Sequence, residues 1–176
     1  STWYPFPADN GSKQRVSNLI KALSQSHNLF TIAFQPESES EKGRIPEITR
    51  SGPVWGVHED PFRYVRMPSF VNYLSPIPLS GWPSKTMRHA VYSIAAQDQW
   101  DAVIAFQIPA AQYALLPPAD VRIFDIDASL SYMMAGRVAR SKGLLSRMRA
   151  KLSLYKTWRH ESRLARRFQL CTIVST

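Results

Sequence analysis

Trp3-Tyr4-Pro5-Phe6-Pro7-Ala8-Asp9-Asn10-Gly11-Ser12-Lys13-Gln14-Arg15 is the stretch on which the reading of this chain turns. It puts a turn rich in Pro, Asn and Gly where a strand hands over to a helix. Val16, Leu19, Ile20 and Leu23 follow at the spacing of one helix face, and residues 29–34 then read as a buried strand. In such a turn Gly11 admits close backbone approach, while the helix offers unpaired N–H groups and the positive end of its dipole. Lys13 and Arg15 add full charges. The arrangement suits an anion, above all a phosphate. An ordinary helix-start turn is the plainer alternative.

Outward from that turn, helices and strands alternate. Residues 35–53 read as a polar surface loop and 62–67 as a strand with one exposed face. The Pro-rich stretch 68–83 reads as an irregular loop that still packs on something. Ser84 caps a helix expected to run to about Gln99, with Met87, Val91, Ile94 and Ala95 inward. Strands are expected at 101–106, 121–126 and 170–176, and helices at 109–116, 128–140 and 144–168. The pattern predicts an α/β, Rossmann-like domain, its mainly parallel sheet covered by helices on both faces. Ligands of such sheets bind beyond the carboxyl ends of the strands, which places Gly11, Gln107, Asp125 and Asp127 on one rim.

At 176 residues the chain reads as one domain, and 44% hydrophobic with 20% charged residues marks it as folded. Cys171 is the only cysteine, so no internal disulfide or cysteine-based metal site is expected. No apolar run approaches the ~20 residues of a membrane-spanning helix, and no signal peptide is visible. A reducing cytoplasm fits best. Both ends read as cut: Ser1–Tyr4 looks like the tail of a strand, and the last strand has nothing after it. The expectation is a fragment of a longer polypeptide.

The order of these motifs resembles the N-terminal domain of a GT-B-fold glycosyltransferase, similar to glycosyltransferase family 4. The resemblance rests on residues 4–15 with the helix–strand pair behind them, and on Trp100-Asp101-Ala102-Val103-Ile104. It rests also on Phe124-Asp125-Ile126-Asp127-Ala128-Ser129, and on residues 161–167 leading into Thr172-Ile173-Val174-Ser175. Residues 35–85 match only loosely. The resemblance implies one half of a GT-B fold, residues 1–176, lacking the C-terminal domain that holds the donor and its paired glutamates. It implies transfer of a sugar, with retention, from a nucleotide-diphosphate sugar to a glycan or lipid-linked acceptor. No metal or other cofactor is expected, and the fragment alone should not turn over.

Within that frame Asn10, Gly11, Ser12, Lys13 and Arg15 form a loop for the donor phosphates or the acceptor. Preorganised N–H groups and cations there stabilise charge on a departing diphosphate. Asp125 and Asp127 lie two apart, so on a continuous strand they share a face, and either serves as a catalytic carboxylate. Many relatives place a histidine near here, where this chain has Asp127-Ala128-Ser129. The plainer role of Asp127 is to cap the next helix. Gln107, Ser129 and Trp82 are acceptor-side candidates. Trp82, Tyr73 and Phe70 stack on an acceptor or simply anchor their loop. His27, His58, His89 and His160 have no spacing for a metal and read as surface or half-buried structural residues.

Charge is concentrated. Between Arg137 and Arg167 stand eleven Lys or Arg and one acid, Glu161, which accounts for the whole formal charge of +9. Leu145, Met148, Leu152 and Tyr155 form an apolar stripe there. The plainer expectation is a solvated helix packing its stripe on the sheet; the other is peripheral contact of residues 144–168 with an anionic membrane at its inner face. The pI of about 10.0 also raises a nucleic-acid-binding module, but no helix-turn-helix, RRM or zinc pattern accompanies it, and no nucleic-acid partner is expected. A non-catalytic carbohydrate- or partner-binding domain is the third alternative.

Overall fold

The computed structural model describes residues 1–35, 52–61, 74–78, 81–95 and 98–173. α1, Gly11–Leu23, starts at Asn10, whose side chain accepts from the Lys13 amide at 3.0 Å. β1 (Thr31–Phe34) pairs in parallel with β2 (Val54–Val57). α2 (Lys85–Ile94) is capped by Ser84, and β3 (Trp100–Phe106) leads into the short α3 (Ile108–Ala111). β4 (Ala119–Ile126), α4 (Leu130–Arg140), α5 (Leu144–Ala165) and β5 (Leu170–Ile173) complete the chain, with β3, β4 and β5 parallel in that order.

The two ladders are joined by the first two residues. The Ser1 nitrogen donates to Ile32 O at 2.5 Å and Ser1 O accepts from the Phe34 amide at 3.3 Å. On the other side the Thr2 amide and hydroxyl both donate to Phe106 O, at 3.4 and 2.9 Å. The resulting sequence of strands is β2, β1, the amino-terminal segment, β3, β4, β5. That is the Rossmann order, in which the chain reverses its direction of travel across the sheet beside the first strand. The switch point falls between the amino-terminal segment and β3.

Alternation along the strands sends side chains to two layers. Ala105 and Phe124 pack with Ile108, Leu164 and Phe168 on one face. Phe106 and Ile104 pack with Val16 and Ile20 of α1 on the other. Phe34, Val57, Met87 and Val91 continue the core under α2. The fold is therefore α/β and Rossmann-like, with parallel strands and helices on both faces. An apolar groove of about 420 Å³ lies between β1 and β3, with Phe30, Ile32, Trp100 and Ile104 in its lining.

Several expectations are corrected. β2 lies just beyond the loop expected at 35–53, in a stretch for which no element is expected, because its four residues include Gly56, which carries no side chain to mark a strand face. That glycine lets the strand pass Gln35, whose Oε1 would sit 2.1 Å from an added Cβ. The helix expected at 109–116 is a single turn. The following helices begin at Leu130 and end at Ala165, so each is shorter than expected. The strand at 62–67, Phe70 and Tyr73, and most of the loop at 35–53 lie outside the described residues. The largest correction concerns α5. Its stripe does not pack on the sheet: Leu145, Met148 and Tyr155 are exposed, and Thr157, Glu161 and Leu164 face inward instead.

Candidate functional site

The rim at the switch point is built by α1 and by the ends of β3 and β4. Asp125 and Phe124 sit side by side in β4, but Phe124 enters the core while Asp125 faces α1. Arg15, on the first turns of α1, grips the Asp125 carboxylate with two hydrogen bonds, Nε to Oδ2 and Nη2 to Oδ1, both 2.9 Å. The hydroxyl of Thr172, opposite Asp125 in the β4–β5 register, donates to Oδ1 at 3.1 Å. Asp125 is buried, whereas the Arg15 side chain keeps 39% exposure. Its pairing with Asp125 raises the guanidinium's already high pKa. Arg15 is thus a fixed cation with one side held by the protein and the other open to solvent.

Asp127 lies on the same side, one turn of α1 away. Its Oδ2 accepts from the Ser12 hydroxyl and from Gln107 Nε2, the latter at 2.9 Å. Gln107 Nε2 also reaches Ser12 Oγ at 3.3 Å. The cap of α4 is Ser129, whose side chain accepts from the Tyr132 amide, so Asp127 is not used as a cap. Its contacts are Ser12 and Gln107, both of them candidates from the sequence.

Gln107 holds an unusual backbone, with φ 65° and ψ 162°. That region is sterically suited to glycine and costs a side-chain-bearing residue about 1–3 kcal/mol. The Gln107 amide donates to Asp125 O at 2.9 Å, and α3 begins immediately with Ile108 and Pro109. The strained turn aims the carboxamide across the rim at Asp127.

Other expected site residues are placed differently. Asn10 spends its carbonyl oxygen on the Lys13 amide. Lys13 is buried and paired with Asp9 at 3.1 Å, so its ammonium is withdrawn from the rim. Gly11 is exposed, and a Cβ there would meet nothing within 4 Å, so the space beside its Cα is open. Ser129 faces α5: its hydroxyl donates to Glu161 Oε2 at 3.2 Å, beside the Ser131 amide at 3.1 Å. Trp82 adjoins Gly81, which packs against the His160 ring of α5. Burial there lowers the His160 pKa. The structure therefore joins Ser12, Gln107 and Asp127 in one cluster beside the Arg15–Asp125 pair, and leaves Lys13, Ser129 and Trp82 outside it.

Thr172 and Glu161 were not singled out as site residues from the sequence. Thr172 becomes visible only through strand register. The signal for Glu161 was its isolation as the single acid among eleven bases.

Among the described residues no group of three or more His, Cys, Asp or Glu side chains is placed to hold a metal, and no helix is long and apolar enough to cross a membrane. Comparison with family models finds no match, and neither curated proteins nor solved structures yield one.

Proposed function

We propose that this chain is the N-terminal, acceptor-side half of a GT-B-fold glycosyltransferase similar to family 4. In this reading it moves a sugar from a nucleotide-diphosphate sugar to a glycan or lipid-linked acceptor, with retention, on the cytoplasmic side of the cell. The observation that carries it is the pairing of one fixed cation with one hydrogen-bonding carboxylate at the switch point of the sheet. Arg15 faces the cleft where a diphosphate leaves, and its position is already set by Asp125, so stabilising the developing charge needs little reorganisation. The open space beside the Gly11 Cα leaves a phosphate oxygen room to approach the head of α1.

The Asp127 cluster then binds the acceptor. Asp127 accepts from a sugar hydroxyl through Oδ1, while Ser12 and Gln107, whose hydrogens go to Oδ2 and to each other, hold the carboxylate in place. When the attacking hydroxyl loses its proton, Asp127 is the carboxylate near enough to receive it. Asp125 is a positioning residue in this scheme, because Arg15 and Thr172 occupy its oxygens. The donor's base and sugar are held by a second α/β domain in the complete enzyme.

The test is a transfer assay of the polypeptide that unites this chain with a donor-binding domain, using UDP-, GDP-, ADP- and dTDP-sugars. A glycoside of unchanged anomeric configuration is expected from one of them, and Arg15→Ala should reduce its rate by about 10²–10³-fold. Salt-sensitive DNA binding without any sugar-nucleotide binding would overturn the reading.

A further inference from the structure

α4 and α5 form a hairpin that stands largely clear of the sheet. None of the eleven residues of α4 is buried. In the 22-residue α5 the buried positions are Thr157, Glu161 and Leu164, all in its second half. A helix of that length spans about 33 Å, so its first half extends well beyond the part that meets the core. The tip is the barest region. Every residue from Lys142 to Arg149 is exposed, and Leu144 and Leu145 are 76% and 72% exposed.

The exposed apolar side chains of α5 are not scattered. At about 100° per residue, Leu144, Met148, Tyr155 and Trp158 fall within roughly 80° of one another around the helix. The rings of Tyr155 and Trp158 lie 6.3 Å apart and form one aromatic surface. Lys151 lies within the same arc, and Arg147 and Arg159 flank it. Glu161 does not offset this charge on the outer surface, because its carboxylate is turned inward to Ser129 and the Ser131 amide. The hairpin therefore presents an aliphatic tip, an aromatic band and a cationic border.

We infer that this hairpin docks on an anionic lipid bilayer. Leu144, Leu145 and Met148 enter the acyl boundary, Tyr155 and Trp158 lie at headgroup depth, and the flanking cations meet lipid phosphates. Cations alone would equally suit a nucleic acid, but an exposed pair of leucines at the tip has no use on a phosphate backbone. A second copy of the chain is disfavoured because it would set two strongly basic faces against each other. The inference does not rest on the transferase reading, since vesicle binding and transfer to a soluble acceptor fail independently.

Flotation of the 176-residue chain with vesicles tests it, using phosphatidylcholine alone and phosphatidylcholine mixed with phosphatidylglycerol. Binding is expected to the mixed vesicles and to be at least about tenfold weaker without the anionic lipid. The double variant Leu144→Ser/Leu145→Ser keeps every charge and should also lose at least about tenfold. Arg147→Glu/Arg149→Glu should do the same, and the circular dichroism of both variants should stay that of the parent because all four side chains are exposed. Three results would overturn the inference: no binding to either vesicle, undiminished binding of the serine variant, or a concentration-dependent dimer that buries the leucines. Affinity for duplex DNA matching that for mixed vesicles, and insensitive to the leucines, would overturn it in favour of nucleic acid.

Discussion

Arg15 and Asp125 stand 110 residues apart in the chain and meet through two parallel hydrogen bonds of 2.9 Å, which lock α1 to the end of β4. The pair is half a structural tie and half a prepared charge. Replacing Asp125 with Asn should destabilise the fold by about 1–3 kcal/mol. That is less than a fully buried pair would lose, because Arg15 is 39% exposed and solvent screens the interaction. Arg15→Lys keeps the charge but not the fork, and should lose transfer activity while retaining most stability. Urea denaturation and steady-state kinetics separate the two effects.

Asp127 should behave differently. It is only partly buried, and its partners are Ser12 and Gln107 rather than a cation held in a fork. Asp127→Asn is expected to cost less than about 1 kcal/mol of stability, yet to lower kcat by about 10²–10⁴-fold if the carboxylate takes the acceptor's proton. A variant with normal kcat and a raised KM would limit Asp127 to binding.

The backbone at Gln107 makes an unusual prediction. Gln107→Ala and Gln107→Gly both remove the carboxamide, so both should impair transfer alike. Glycine alone relaxes φ 65°, so the glycine variant should be the more stable by about 1 kcal/mol, the reverse of the normal ranking. Thermal unfolding of the two proteins side by side settles the sign.

Much of this fold is legible in the residues themselves. Apolar runs at 100–106 and 121–126, divided by small residues and turns, announce buried parallel strands. Asn10 and Ser84 announce helix starts by their capping chemistry. The common face of Asp125 and Asp127 follows from strand periodicity, and α1 does meet both. What sequence cannot supply is register and direction of packing. Nothing local says that Thr172 falls opposite Asp125, that Lys13 turns inward to Asp9, or that Ser129 rather than Asp127 caps α4. The stripe on α5 misleads for the same reason: amphipathicity marks an apolar face without saying what covers it.

The bonds from Thr2 to Phe106 O, spanning 104 residues, bear on how the protein is made. During synthesis at about 5–20 residues per second, the amino-terminal segment emerges on the order of ten seconds before β3 exists to receive it. For that interval the centre of the sheet is one-sided, with the amino-terminal segment paired to β1 through Ser1 and its Thr2 side still without β3. Until β3 has been made, a nascent chain of this topology exposes a strand edge that the finished fold covers.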